Sequence, residues 1–555
     1  MKDNLLDFNV SAQTLLSMAE EYSDKGRRVE AISLIRRALK QNPSSKNVLY
    51  ALAGELAEAE QYKTSNDVLF KMLAADPKDS DVLLLLSQNF ADLERFDLTE
   101  YYFGKFSQTD VFDASAIDVE FVREEQRSQL AGFSLVHPMS KKRAEQLKDY
   151  AAAAIRVGDM QKARNIFLEI EEAFPRDASA KSGIAFTCII SNDFENGEKY
   201  AKQALEISPD DAFALSNLAC AYYLQRKDAE CEEVVAKLAA VDCGDEPDRL
   251  FKIATTFCEL KKDDLAYERL KRFLEVTGSL NRDVNLLYFF SAFNSKRFEQ
   301  AKKILGNMLV VDPDDHIARY YKNYIDEYTL KTHVGKPKRL DYFPQIPISA
   351  MTKTITFLRT APDFYSMWSD KKLKGQIDWA FDTVLEPDLH DELIGKVAET
   401  DKKKSTPYLK SLLLNQNLEV SVKGKVFFCL LLNGVRGKFF IVKDGFFTAL
   451  DVPKNIPHVV EEEVLLCIAK LSTVYLSDEK FIAKIISVGK EVQSRVIECG
   501  LVTDWDIAVM AACIARNCGF EQLNDETISN LFGVKYKEMA ALTERIFADS
   551  DDIKG

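Results

Sequence analysis

The chain has 555 residues, of which 46% are hydrophobic and only 22 are glycine and 15 proline. So few chain-breaking residues favour long helices over an all-β fold with many tight turns, and the hydrophobic content excludes a disordered polymer. The net charge of −14 repels phosphate groups, so it argues against a basic nucleic-acid groove and against binding to anionic lipid.

The charge is unevenly divided along the chain. Residues 1–330 hold 43 basic and 56 acidic side chains, whereas residues 331–555 hold 30 and 31. This difference predicts two regions of different architecture. The start of the chain carries Asp3 and Asp7 where a secretory signal would need an apolar stretch, and the longest strongly apolar run, at 426–432, is too short to span a membrane. We therefore expect a cytoplasmic protein without a membrane partner.

An internal period of 34 residues runs through the first region. Pro43 and Pro77 are 34 residues apart, and so are Pro175 and Pro209. Small residues recur at fixed distances before these prolines, as Ala31 does before Pro43. This pattern predicts helical hairpins, because a small residue lets two helices approach closely and a proline ends the second helix.

Segments such as LLSMAEEYSDKGRRVEAISLIRRALKQNP (15–43) and LSNLACAYYLQRKDAECEEVVAKL (215–238) resemble the tetratricopeptide repeat (TPR) family, and the resemblance covers residues 12–329. It implies an all-α solenoid of about eight helical hairpins. In that frame the repeats are 12–45, 46–79, 80–113, 144–177, 178–211, 212–245, 247–280 and 282–315, followed by a capping helix. We divide the region into block one (1–128), an irregular connection (129–143) and block two (144–330).

The resemblance also implies a peptide or protein partner, since TPR proteins hold such partners in a concave groove lined by the first helix of each repeat. Carrying the groove positions over to this chain gives an aromatic stripe in block two, which we predict to bind the partner: Phe186, Phe213, Tyr223, Phe251, Phe290 and Phe293. Equivalent positions of block one are more acidic and polar: Glu20, Asp24, Asn47, Glu58, Asp81 and Asp92. Two interpretations of the stripe stay open. It binds an external apolar segment, or it is covered by the carboxy-terminal region or packed between repeats.

A linker is predicted at 331–347, where three prolines follow closely on one another and basic residues are frequent. We interpret the basic run as solvated, with contact to an acidic partner or nucleic acid as the alternative. Residues 348–555 are predicted to form a mostly helical carboxy-terminal domain. Its one β element is a hairpin near 438–452, where two apolar runs flank Asp444 and Gly445, a strong turn signal.

The tail DETISNLFGVKYKEMAALTERIFADS (525–550) has the rhythm of helix, glycine turn and helix. It resembles a helix-turn-helix and, with the preceding helix, the end of a cyclin-box domain as in general transcription factors. The second helix offers Lys535, Lys537 and Arg545 for DNA contact, although Glu538 and Glu544 lie among them. Packing within a small helical bundle and docking of a partner are the alternatives.

The sequence shows no pattern typical of catalysis or metal binding. It has no phosphate-binding glycine loop, no GxSxG elbow and no HExxH motif. His390 and His458 each lie near carboxylates in the sequence, and neither has a further Cys or His at ligand spacing. We expect no enzyme activity, no cofactor, no metal and no small-molecule substrate.

The sequence therefore predicts a non-catalytic scaffold or adaptor that binds a peptide or partner protein in the concave groove of the solenoid. The alternative is a regulatory protein whose helix-turn-helix-like tail contacts DNA or the transcription machinery while the solenoid senses a partner. The acidic charge of the chain makes nucleic acid the less favoured partner.

Overall fold

The computed structural model describes residues 10–109, 139–329, 338–361, 363–384, 386–474, 479–498, 505–520 and 523–547. Within these ranges the chain is mostly helical and holds a single two-stranded sheet. The predicted all-α class with one hairpin is thus confirmed. Most of the predicted irregular connection (129–138) and part of the predicted linker (331–337) lie outside the described residues.

The amino-terminal region consists of helical hairpins, each pairing a helix A with a helix B. In block one the pairs are α1 (Ala12–Asp24) with α2 (Arg28–Gln41), α3 (Lys46–Glu58) with α4 (Tyr62–Ala75), and α5 (Ser80–Asp92) with α6 (Phe96–Phe106). In block two they are α7 (Lys141–Arg156) with α8 (Met160–Ala173), α9 (Ala178–Ile190) with α10 (Phe194–Ile207), α11 (Ala212–Leu224) with α12 (Asp228–Ala240), α13 (Pro247–Glu259) with α14 (Asp263–Thr277), and α15 (Arg282–Asn294) with α16 (Phe298–Val311). Helix α17 (His316–Thr329) follows the last hairpin.

The turn from helix A to helix B repeats the same backbone conformation in nearly every hairpin. Each turn holds one residue with positive φ, and the members are Gly26, Glu60, Glu94, Gly158, Asn192, Arg226, Lys261 and Lys296. Within each block, successive members are 34 or 35 residues apart. A left-handed residue ends helix A and turns the chain at once into helix B. Most of these residues are not glycine, so packing of the two helices must offset a backbone cost of about 1 kcal/mol per turn.

The small residues of the 34-residue period are buried where helix A meets helix B. Ala19 and Ala31 of the first repeat are almost inaccessible to solvent, and so are Ala151 and Ala163 of the fourth. Gly197 shows why a small residue is needed, because a Cβ at this position would collide with Ile189 of the preceding helix A. These contacts confirm the packing that the period predicts.

The carboxy-terminal domain begins with five helices: α18 (Ile348–Thr360), α19 (Lys371–Thr383), α20 (Pro387–Ala398), α21 (Lys402–Leu412) and α22 (Val420–Leu432). Strands β1 (Gly437–Lys443) and β2 (Phe446–Val452) form an antiparallel hairpin in which Lys443 pairs with Phe446. Asp444 and Gly445 both have positive φ in the two-residue turn, as the sequence signal requires. Five helices follow: α23 (Glu461–Ser472), α24 (Glu479–Glu498), α25 (Ile507–Asn517), α26 (Asp525–Phe532) and α27 (Tyr536–Phe547).

The tip of the hairpin docks on block one, far away in the sequence. The hydroxyl of Tyr102 on α6 donates to the backbone oxygen of Gly445 (2.5 Å) and accepts from the backbone N–H of Phe447 (3.0 Å). The ring of Phe447 lies parallel to that of Phe70 on α4 at 6.4 Å, within one hydrophobic cluster. A Cβ on residue 445 would collide with Leu98, so the close approach requires glycine.

The two blocks also contact each other at the far end of the solenoid. The guanidinium of Arg36 on α2 donates to the backbone oxygen of Val311 at the end of α16 (2.5 Å). The amide of Gln61 donates to the backbone oxygen of Leu280 (2.6 Å). In addition, His316 on α17 lies 3.0 Å from the carboxylate of Asp382 in the carboxy-terminal domain. Block one is therefore held between the end of block two and the hairpin.

Candidate partner-binding surface

The helices A of block two lie side by side and form a concave surface. The side-chain amide of Asn217 on α11 donates to the backbone oxygen of Ser182 on α9 (2.9 Å). The ammonium of Lys252 on α13 lies 5.0 Å from the ring centre of Phe186 on α9. Because α11 lies between α9 and α13 in the stack, this contact means that the side chains of the outer two helices converge. We call this surface the block-two groove.

Four of the six predicted aromatic residues are accessible on this part of block two. Phe213 and Tyr223 on α11 are 39% and 37% exposed. Phe186 on α9 and Phe251 on α13 are half-buried, the latter against Phe273 at a ring distance of 5.3 Å. The structure thus leaves more than a third of each of these two aromatic residues of α11 exposed.

Phe290 and Phe293 need correction, because neither is open to a partner. Both are fully buried on α15. The ring of Phe290 packs edge-to-face against Tyr321 of α17 at 5.2 Å, and that of Phe293 lies 5.9 Å from Tyr324 of the same helix. The added helix α17 covers these rings as a further repeat would, which the repeat frame alone does not reveal.

Residues 338–345, which we call the strap, bind along the last two repeats of block two. Arg339 pairs with the carboxylate of Asp263 through two hydrogen bonds (3.1 and 2.8 Å), and the hydroxyl of Tyr342 donates to the same carboxylate (2.9 Å). The side chain of Asn294 accepts from the backbone N–H of Leu340 (2.8 Å) and donates to its backbone oxygen (2.9 Å). The predicted solvated linker is therefore corrected for these residues, which are bound as an extended segment.

The structure bears out cover from within for one end of the aromatic stripe, and binding of an external segment by the other end stays a prediction. The ring of Tyr342 in the strap approaches Phe290 at 6.3 Å, so the far end of the stripe is covered from within. The near end on α11 stays accessible. Burial raises the pKa of the Tyr342 hydroxyl well above its usual value, with Cys258 and Asp263 adding to the effect. The strap is accordingly held by specific side-chain contacts, while most of its residues remain exposed.

Replacing Asn294 by alanine is expected to loosen the strap, because both hydrogen bonds to Leu340 are lost. Each such bond contributes about 1 kcal/mol. Trypsin should then cleave several-fold faster after Lys338 and Arg339, as followed by mass spectrometry of the intact chain. Asn285→Ala on the same helix is the control, since Asn285 bonds only to the backbone of Asn281. Equal cleavage rates for both variants would show that Asn294 does not hold the strap.

Two apolar residues that the aromatic search missed lie at the ends of helices A. Ile190 on α9 and Leu224 on α11 are 50% and 47% exposed. Both occupy the last groove position of their repeats, so the frame could have found them. Ile190 and Leu224 do not belong to the aromatic stripe, because their side chains are aliphatic.

A buried thiol lies on α11 between the helices that form the groove. Cys220 donates to Oε2 of Glu259 on α13 at 3.1 Å. Burial raises the pKa of this thiol far above its usual value, and the negative charge of Glu259 raises it further. The thiol is therefore an unreactive neutral donor that links α11 to α13.

The equivalent positions of block one remain acidic and accessible. All six predicted residues are exposed: Glu20, Asp24, Asn47, Glu58, Asp81 and Asp92. Glu58 pairs with Arg28 (3.3 Å). Partial burial and the charge of Glu58 raise the pKa of the Asp92 carboxyl.

The tail and the histidines show packing rather than a chemical site. Met539 of α27 is buried in the core of the carboxy-terminal domain, and the exposed Lys535 pairs with Glu538 (3.2 Å). His390 is buried and lies 3.2 Å from the backbone oxygen of Ala380. In the part of the chain that the structure describes, no group of three His, Cys, Asp or Glu side chains is placed to hold a metal ion.

Comparison with known proteins agrees with the repeat geometry. The chain is 26% identical over 251 residues to the TPR repeat-containing protein YvcD of Bacillus subtilis (strain 168), a match that covers 43% of this chain and 50% of YvcD. The amino-terminal region of the chain is built of tetratricopeptide repeats. It spans about half the length of the curated relative it matches.

Further similarities concern parts of this TPR protein. A family model described as the coatomer epsilon subunit matches residues 27–238. The TPR2AB domain of yeast Sti1, solved in complex with pHSP90, is 15% identical, with 48% of this chain and 98% of that chain covered and a TM-score of 0.20. YrrB, a TPR protein with an unusual peptide-binding site, is 12% identical, with 38% and 99% covered and a TM-score of 0.24. TPR proteins are generally protein-interaction scaffolds. Among the described residues, the search for a membrane-spanning helix found none of sufficient length and apolar character.

Proposed function

We propose that this TPR protein is a non-catalytic cytoplasmic scaffold that binds a partner protein or peptide in the block-two groove. The observation that carries the proposal is the accessibility of Phe213 and Tyr223 on α11, in contrast to the buried Phe290 and Phe293. Large aromatic side chains contribute most to binding when a partner removes them from water.

The surroundings of these rings suit a protein interface. The apolar side chains of Ile190 and Leu224 are exposed at the ends of α9 and α11. Helix α13 carries polar groups towards the same two helices, since Lys252 approaches Phe186 and Glu259 bonds to Cys220. An apolar centre with a polar rim is the usual composition of such an interface. The mechanism is recognition by shape and apolar contact, with no covalent step.

The proposal is tested by capturing partners from native lysate with the full chain and with a Phe213→Ala/Tyr223→Ala variant. Loss of two anchoring rings is expected to reduce partner retention at least tenfold, because one such residue contributes about 2 kcal/mol to binding. The variant should keep its fold, since both rings are more than a third exposed. Far-UV circular dichroism and a thermal melt check this.

The matched control removes two exposed aromatic rings elsewhere, with Tyr365→Ala and Tyr536→Ala in the carboxy-terminal domain. This variant should retain the same partners as the intact chain. If the groove variant also retains all of them, the partner-binding residues lie elsewhere and the proposal is wrong.

A further inference from the structure

The strap shows how block two recognises an extended segment. It binds at one edge of the block, formed by the last residues of helices A and the first residues of helices B. Asn294, the last residue of α15, holds the backbone at Leu340 through two hydrogen bonds. Asp263, the first residue of α14, holds the guanidinium of Arg339. We call this line of helix ends the turn edge.

The same positions can be followed along the turn edge into the uncovered repeats. Each turn has its left-handed residue as a fixed reference, and Asn294 stands two residues before Lys296. Leu224 and Ile190 stand two residues before Arg226 and Asn192 in the same way. The repeat therefore places two exposed apolar side chains where Asn294 contacts the strap.

An acidic side chain also recurs at the equivalent position of the preceding repeat along the turn edge. Asp263 stands two residues after the left-handed Lys261, and Asp228 stands two residues after Arg226. Asp228 is exposed at the start of α12, and so is Glu259 at the end of α13. Where the strap covers the turn edge, the carboxylate is matched by a guanidinium. One repeat earlier, the carboxylates of Asp228 and Glu259 face solvent, and so do the cations of Arg226 and Lys261 in the same turns.

We propose that the uncovered turn edge, from Glu259 and Asp228 to Leu224 and Ile190, binds an extended segment of a partner protein in which basic side chains stand next to apolar or aromatic ones. The segment continues the line of the strap, with Asp228 in the place of Asp263 and with Leu224 and Ile190 in the place of Asn294. Asp228 offers a cation of the segment the same pairing that Asp263 gives to Arg339, beside Arg226 and Lys261 of the same turns. The exposed Leu224 and Ile190 offer the segment apolar contact. This inference rests on the proposed function and adds the chemistry of the partner.

The test uses a fluorescein-labelled peptide with the strap's own sequence, KRLDYFPQ, added to the full chain and followed by fluorescence anisotropy. The covalently attached strap keeps its own site, because tethering gives it a millimolar effective concentration. We expect saturable binding that weakens at least tenfold in Asp228→Lys/Glu259→Lys and in Ile190→Ser/Leu224→Ser. A peptide with alanine in place of its arginine should also bind at least fivefold more weakly.

The control variant is Glu195→Lys/Glu233→Lys, which changes the net charge equally on exposed positions of helices B. It should bind the peptide within twofold of the intact chain. Equal weakening by both charge variants would mean attraction by overall charge and would overturn the proposal. So would binding that is lost in Asp263→Asn and retained in Ile190→Ser/Leu224→Ser, because the peptide would then be exchanging with the strap.

The same measurements distinguish other occupants of the turn edge. If the alanine-substituted peptide binds as well as the original, the turn edge binds a purely apolar segment and not a basic one. No peptide binding, together with dimers in sedimentation that dissociate in Ile190→Ser/Leu224→Ser, would assign the turn edge to a second copy. Either result overturns the proposal. The proposed function fails separately, when lysate partners are retained by the Phe213→Ala/Tyr223→Ala variant while the peptide still binds at the turn edge.

Discussion

Replacing Phe447 by alanine is expected to lower the free energy of unfolding by about 3–5 kcal/mol. Its ring is buried in the contact between the hairpin and block one, close to Phe70 and stacked on Phe440 at 5.5 Å. Truncation leaves a cavity that the rigid helices α4 and α6 can fill only in part. The hairpin should then separate from block one, because this ring supplies much of the apolar contact.

Urea denaturation followed by circular dichroism measures the loss of stability, and small-angle scattering measures any increase in the radius of gyration. Phe343→Ala is the control, since its ring is 62% exposed in the strap and should change stability by less than about 0.5 kcal/mol. A Phe447→Ala variant with unchanged stability and size would show that the hairpin does not hold the carboxy-terminal domain on block one.

Replacing Asp67 by asparagine is expected to stabilise the protein by about 2–3 kcal/mol at neutral pH. Burial against the carboxy-terminal domain raises the pKa of this carboxyl to about 6, and the charges of Asp312 and Asp382 add to the effect. A shift of about two pH units corresponds to about 3 kcal/mol between the two protonation states. Asparagine removes the charge and can still accept the hydrogen bond that Gln416 donates to Asp67 (2.8 Å).

The direction of the pKa shift of Asp67 determines how the stabilisation by Asp67→Asn depends on pH. The folded-state pKa of Asp67 lies above the unfolded value, so the native protein binds the proton more tightly. The stability that this proton supplies is complete below about pH 4 and is lost as the pH rises through about 6. The gain from Asp67→Asn should therefore be full at pH 7.5 and nearly absent at pH 4, as measured by urea denaturation. An equal gain at both pH values would contradict the assignment.

The repeat architecture could be predicted from the sequence because its signals are local. The 34-residue period, the buried alanines and the chain-turning residues each act within one hairpin or between neighbours, so every copy carries the same signal. The hairpin turn at Asp444 and Gly445 is local in the same sense. Residues such as Ile190 and Leu224 were within reach of the frame, and a search for all exposed apolar groove positions would have included them.

Which of these surfaces are buried depends on the tertiary structure and not on the repeat pattern. Phe290 and Phe213 are both aromatic residues at groove positions, yet one is buried by α17 and the strap and the other is accessible. Tyr102 holds a hairpin more than 340 residues away, and Asn294 holds a strap 46 residues away. A repeat pattern carries no information on such distant pairings, because it describes what each hairpin contacts next to itself. The sequence by itself therefore determined the solenoid, and only the packing of distant segments decided which part of its surface remains free for a partner.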